Sequence, residues 1–130
     1  MAIAVVDASV LIAFLSPDDL HHEAALRTLT ASLRSELVVP ATAYSEVLVH
    51  PYREGRAEAS RIERFFKEMA IRVEPIGLEI ARRAARLRAR HSRIRLPDAL
   101  VIATADELGA GRILTADASW KQVSRRVIVI

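Results

Sequence analysis

Apolar residues along this chain follow two spacings. Short runs at Ala2 to Val6, Leu37 to Val39, Ile71 to Val73, Arg112 to Thr115 and Val127 to Ile130 have the length of strands, and the first is apolar enough to be buried on both faces. Between them, apolar positions recur in steps of three and four. Val10 to Leu15 reads as a buried helix that Ser9 or Asp7 can cap. After the turn cluster Ser16-Pro17-Asp18-Asp19, residues Ala25, Leu26, Leu29 and Leu33 mark a second helix. Ala43, Tyr44, Val47 and Leu48 mark a third, with Pro51 near its end, and Ala59, Ile62, Phe66 and Met69 a fourth. Leu78, Ala81, Ala85 and Leu87 predict a fifth helix, strongly basic on its other side. Leu96-Pro97-Asp98 opens the next one: proline suits a first turn, and an acid there faces the positive end of the helix dipole. From Ala99 to Ala105 this helix is apolar nearly all round, which makes it central, and Gly109 and Gly111 close it.

Strands alternating with helices predict an α/β fold, a three-layer α/β/α arrangement with a mostly parallel sheet of about five strands. The length, 130 residues, fits one domain spanning 1–130. A hydrophobic content of 52% excludes a disordered chain. The absence of cysteine excludes disulfides and thiolate-held zinc or iron–sulfur clusters. It fits a reducing cytosol, and a cytoplasmic protein is expected. The apolar runs are too short to span a bilayer, and the N-terminal one lacks the basic region of a signal peptide, so no membrane association is expected.

The acids carry the chemistry. Sites in open α/β sheets lie outside the carboxyl ends of the strands. Asp7 directly follows the first strand and Asp117 follows the fourth by two residues. Asp98 stands at a helix start that should face the same edge. Glu46 lies six residues past the second strand, about a turn and a half into its helix. Converged on one edge, such carboxylates repel one another and call for a cation. All-oxygen ligands select hard ions, Mg²⁺ or Mn²⁺, over zinc. Ions of that kind bind phosphate oxygens and acidify a bound water, so the pattern points to a metal-dependent phosphodiesterase or phosphatase. Each acid also has a local role open to it. Asp7 can be a helix cap, Asp98 a first-turn acid, Glu46 part of a solvated face and Asp117 a turn residue. Asp106 does not belong with them: eight residues beyond Asp98, it lies roughly 12 Å further along the same helix.

Net charge is +3, and the cations are seventeen Arg against two Lys. Seven of those Arg fall between Ile80 and Pro97 with no acid among them. Arg82, Arg86 and Arg90, followed by Arg93, share a helix face suited to a nucleic-acid backbone, and equally to a solvated surface. Of the four His, His21 and His22 are adjacent, and neither pairs with another at helical ligand spacing. His50 ends a helix before Pro51. Tyr44, Tyr52, Phe65, Phe66 and Trp120 are expected in the core or in a partner groove.

The order Val5-Val6-Asp7-Ala8-Ser9, Val39-Pro40 with Glu46 after it, Leu96-Pro97-Asp98-Ala99-Leu100 running into Ile102-Ala103-Thr104-Ala105, and Leu114-Thr115-Ala116-Asp117 resembles the PIN domain family. In length it is similar to the bacterial VapC-type toxin ribonucleases. Asp19-Leu20-His21-His22 resembles the acid-and-His helix start of that family. The resemblance implies a Mg²⁺- or Mn²⁺-dependent endoribonuclease whose acidic positions fall on Asp7, Glu46, Asp98 and Asp117. It matches Ser9 and Thr115 to polar positions that hold carboxylates or waters. It implies a structured RNA substrate, a homodimer, a small cognate antitoxin and products with a 5′-phosphate and a 3′-hydroxyl. Where some relatives carry a further acid and then Phe, Ser119 and Trp120 stand here, which leaves one tightly held ion and a weaker second one as the expectation.

Other classes fit less well. A strand-end phosphoacceptor or phosphatase of the haloacid-dehalogenase type needs Asp-x-Asp, and Asp7 is followed by Ala8-Ser9. A receiver domain needs a strand-end lysine, which neither Lys67 nor Lys121 supplies. A nucleotide-binding enzyme needs a Gly-rich loop, and the four glycines are scattered. A PIN-like domain that only binds RNA or a partner should have lost acids. A PIN-type RNA-processing nuclease without an antitoxin remains open.

Overall fold

The computed structural model describes residues 2–130. Five parallel strands form one sheet in the order β3-β2-β1-β4-β5. They are β1 (Ile3–Val6), β2 (Glu36–Pro40), β3 (Arg72–Glu74), β4 (Arg112–Thr115) and β5 (Val127–Val129). Six helices link them: α1 (Ala8–Leu15), α2 (His22–Ala31), α3 (Ala41–Glu54), α4 (Arg56–Glu68), α5 (Leu78–Arg90) and α6 (Leu96–Leu108), with a 3-10 turn at Ala118–Gln122 before β5. Right-handed crossovers place α1 to α4 on one face and α5 with α6 on the other. The expected three-layer architecture is therefore present, and the sheet is parallel throughout.

The central strands are apolar on both faces because helices cover both. Val5, Val6, Val38, Val39, Ile113 and Leu114 are all completely buried. Val5 lies opposite Val38 on one side and Ile113 on the other, which locks β1 as the middle strand. On α6, Ala99, Val101, Ile102, Ala103, Thr104 and Ala105 are buried, as the all-round apolar run requires. Small Ala99 and Ala103 let this helix approach its neighbours closely. The Thr104 hydroxyl satisfies itself on the Leu100 carbonyl at 2.7 Å. At the end of α6, Gly109 takes φ 64°, and the amides of Gly109 and Ala110 return to the carbonyls of Asp106 and Ala105.

Three local expectations shift. His50 does not end its helix: α3 continues through Pro51, which is near its end as expected and buried, to Glu54. Leu33 lies beyond the end of α2 and is exposed. The buried stripe of α5 is Ile80 and Ala84, with Leu87 partly buried, while Leu78, Ala81 and Ala85 face solvent. Ala84, fully buried, is the small residue that lets α5 pack along α6.

Gly109 has open space where a Cβ would project, so only its left-handed backbone resists substitution. Gly109→Ala should cost about 1 kcal/mol, read as a lower denaturant midpoint at unchanged m-value. A variant as stable as the wild type would show that the α6 terminus does not depend on this conformation.

Candidate active site

The strand order reverses between β1 and β4. Chains leaving these two strands turn in opposite directions and open a crevice at their carboxyl ends. A cleft of about 480 Å³ lies there, walled by Asp7, Ser9, Glu46, Arg95, Asp98, Asp117 and Trp120 among others. All four acids singled out in the sequence line this one cleft. Asp106 does not; it pairs with Arg126 near the opposite end of α6.

Asp7 is at the centre. Its amide continues the sheet by donating to the Leu114 carbonyl at 2.9 Å. It occupies the cap position of α1, yet its carboxylate makes no capping hydrogen bond. Instead Oδ2 accepts from two hydroxyls, Ser9 Oγ at 2.6 Å and Thr115 Oγ1 at 3.0 Å. Each hydroxyl in turn accepts from a backbone amide leaving β4: Ser9 Oγ from Ala116 at 3.0 Å, and Thr115 Oγ1 from Asp117 at 3.1 Å. Two amide–hydroxyl–carboxylate chains thus join the exits of β1 and β4. Among the described residues, no side chain donates to Asp7 Oδ1. Burial pushes the Asp7 carboxyl above its usual range, against the lowering effect of the two hydroxyls and of the adjacent Ala8 and Ser9 amides.

The other acids come from separate elements. Asp98 stands in the first turn of α6, with Arg95 Nε 3.5 Å from its Oδ2. Burial raises its carboxyl, Arg95 opposes that, and the charges of Asp7 and Asp117 add to it. Glu46, on α3 at the cleft rim, is raised by burial and then by the charges of Asp7 and Asp98. Asp117 differs. It caps the 3-10 turn, its Oδ1 accepting from the Ser119 hydroxyl at 2.6 Å and the Ser119 amide at 2.9 Å, and those bonds hold it below the usual range. Trp120 is buried beside it, and its indole N–H, which makes no other hydrogen bond among the described residues, lies toward Asp117 and adds to that lowering.

Arg95 is the residue that sequence reasoning did not single out. It lines the cleft and is the cation felt by Glu46, Asp98 and Asp117. The signal was its place three residues before Asp98 at a helix start. The basic face of α5 is divided. Arg82 and Arg86 pair with Glu79 at 3.8 and 3.4 Å, and Arg83 reaches Glu107 at 2.9 Å. Arg90 instead lines a second pocket. The histidines take structural or surface places: His22 Nδ1 lies 3.0 Å from the Ala13 carbonyl, and His50 pairs with Glu54 on the surface. Tyr44, Phe65 and Phe66 pack together with Phe14, whereas Tyr52 is exposed and donates to Glu63.

Among the described residues, no three of the acids are drawn together as a ready coordination shell. The donor set still fits a hard divalent ion. It is all carboxylate oxygen, it includes a buried aspartate with one oxygen that accepts from no side chain, and among the described residues Arg95 is the only cation lining the cleft.

A family model for the PIN domain matches residues 4–126. The chain belongs to the PIN domain family. Its fold is shared by solved structures of low sequence identity. VapC20 of Mycobacterium tuberculosis, described as a sarcin-ricin loop cleaving toxin, superposes with a TM-score of 0.78 at 21% identity, covering 93% of this chain and 95% of that one. A chain of a toxin–antitoxin complex from Klebsiella pneumoniae gives 0.81 at 21% identity, covering 97% and 96%. A chain of FitAcB from Neisseria gonorrhoeae gives 0.75 at 16% identity, covering 98% and 96%. No curated protein sequence matches the chain significantly.

The raised carboxyl of Asp7 means that the folded chain holds this proton more tightly than the unfolded chain does. The Asp7 contribution to stability is therefore most favourable below the usual value of 3.8 and falls as pH rises through the raised one. Asp→Asn at this position keeps the hydroxyl contacts and removes the charge. In the absence of divalent metal, Asp7→Asn should melt above wild type at neutral pH, and the gap should close as pH falls toward 3.8. A variant less stable than wild type at neutral pH would show that the ionised carboxylate supports the fold.

Proposed function

We propose that this PIN domain is a metal-dependent endoribonuclease and the toxin of a toxin–antitoxin pair. The observation that carries the reading is the convergence of Asp7, Glu46, Asp98 and Asp117 on one cleft at the switch point between β1 and β4. Asp7, Asp98 and Asp117 would hold Mg²⁺, or Mn²⁺ in its place, and Glu46 would share in this or orient the attacking water. The bound ion supplies Lewis acidity toward phosphate oxygens and a water more easily deprotonated at neutral pH. Glu46, raised and at the rim, is suited to take a proton from that water at its carboxylate. Ser9 and Thr115 fix the Asp7 carboxylate through Oδ2, so that the carboxylate is oriented to hold an ion. Arg95, at the cleft wall, is placed to meet a substrate phosphate.

RNA as substrate and an antitoxin as partner rest on the family and on the likeness to toxin chains and to chains from toxin–antitoxin complexes, some of them bound to DNA. A homodimer is part of this reading, and exposed Val49 and Tyr52 on α3 would give it apolar area. No helix among the described residues is long and apolar enough to cross a membrane. A cytoplasmic site of action fits an RNA substrate.

Purified protein should cleave RNA with Mg²⁺ or Mn²⁺ and stop on chelation. Asp7→Asn and Asp98→Asn should each lower cleavage about a hundredfold or more. A variant at the wild-type rate would remove that residue from the metal site.

Asp117→Ala should lower cleavage about tenfold or more, with partial rescue by high Mn²⁺, whereas Asp106→Ala should remain near wild type because it lies at the far end of α6. The reverse order would misplace the third acid.

A further inference from the structure

A second pocket, of about 300 Å³, adjoins the acidic cleft. The two share Trp120 as a wall. They are also joined through Ser119, which lines the second pocket and donates its hydroxyl to Asp117 in the first. The chemistry of the two is opposite. The second pocket is lined by Arg90, His91, Ser92, Arg93, Ser119 and Gln122, together with apolar Ile94, Trp120 and Val123, with no carboxylate among the described residues that line it. Its cations come from the end of α5 and the turn that leads into α6.

Those cations are free, and most of the others near them are not. Arg82 and Arg86 are paired with Glu79, Arg83 with Glu79 and Glu107, and Arg95 with Asp98. Among the described residues, Arg90 and Arg93 form no ion pair and no side-chain hydrogen bond. Unpaired guanidinium groups beside hydroxyl, amide and imidazole donors, in a concave site without acids, make a phosphate-binding surface. An RNA strand needs such a surface here, because the carboxylates of the neighbouring cleft repel its backbone on either side of the bond to be cut.

We propose that Arg90 and Arg93, with Ser92 and Gln122, bind a backbone phosphate next to the scissile one and so hold the RNA strand in register across the Asp117–Trp120 turn. The inference rests on the nuclease reading and narrows the basic face of α5 to its C-terminal end. Arg82 and Arg86 then serve the α5 surface through Glu79 and contribute little to RNA binding.

The test is fluorescence anisotropy with a short labelled single-stranded RNA and the full chain in EDTA, where no cleavage can occur, as a function of salt. Arg90→Gln with Arg93→Gln should weaken binding roughly tenfold and reduce the slope of log K against log salt by about 0.7 for each phosphate that the variant no longer neutralises. Arg82→Gln with Arg86→Gln should leave both near wild type. With Mg²⁺ present, the first double variant should raise KM while largely preserving kcat. Equal losses from the two pairs would make the basic surface diffuse and overturn the pocket. Unchanged RNA binding in the first pair would also overturn it and leave the pocket to an acidic protein partner. Cleavage unaffected by Asp7→Asn would instead refute the nuclease reading, whatever the anisotropy shows.

Discussion

A carboxylate buried at the exit of a central strand is the constraint on which this site depends. Asp7 is only 8% exposed, and an ionised group in that position needs partners. Four groups answer, all of them local to two strand ends. The amides of Ala116 and Asp117 polarise the hydroxyls of Ser9 and Thr115, and both hydroxyls donate to one oxygen of Asp7. The arrangement orients the carboxylate and ties β1 to β4 at the place where the sheet topology forces their connections apart. It also leaves a charge that burial disfavours, facing three further acids. A site of this kind is costly to hold unless an external cation completes it.

The remaining acids show how one edge is supplied by three elements that are distant in sequence. Pro97 and the α6 dipole bring Asp98 to the cleft, α3 brings Glu46 to its rim, and the turn after β4 brings Asp117. Their environments are graded. Asp7, Asp98 and Glu46 are all pushed up, chiefly by burial and then by like charge for Asp98 and Glu46, while Asp117 is held down by Ser119. Arg95 lies among them and offsets part of the repulsion in the protein by itself.

Most of this edge was legible in the sequence because strand ends and helix starts are the best-marked points of an α/β chain. Asp7 after an apolar run, Asp98 after proline and Asp117 after a short strand carry their positions with them. The roles of Ser9 and Thr115 were implied by family resemblance, and the hydrogen bonds give those roles a physical basis. What spacing could not settle was rotation about a helix axis. On α5, alanines at several phases made Leu78-Ala81-Ala85 as regular a stripe as Ile80-Ala84-Leu87, and only packing against α6 selects the second. The same ambiguity hid the division of the basic face, because Glu79 takes up Arg82 and Arg86 one and two turns along the helix while Arg90 lies beyond its reach. Arg95 was overlooked for a related reason: one arginine in a run of seven has no distinguishing mark until its carboxylate neighbours are in place.

The claim that these acids exist to hold a hard cation is tested most directly by crystals soaked in Mn²⁺ and measured at the manganese absorption edge. The account predicts an anomalous peak in the cleft within coordinating distance, about 2.2 Å, of an Asp7 oxygen and an Asp98 oxygen, with Arg95 drawn away from Asp98. A cleft without manganese at saturating concentration, or manganese bound elsewhere with the Arg95–Asp98 pair intact, would contradict it.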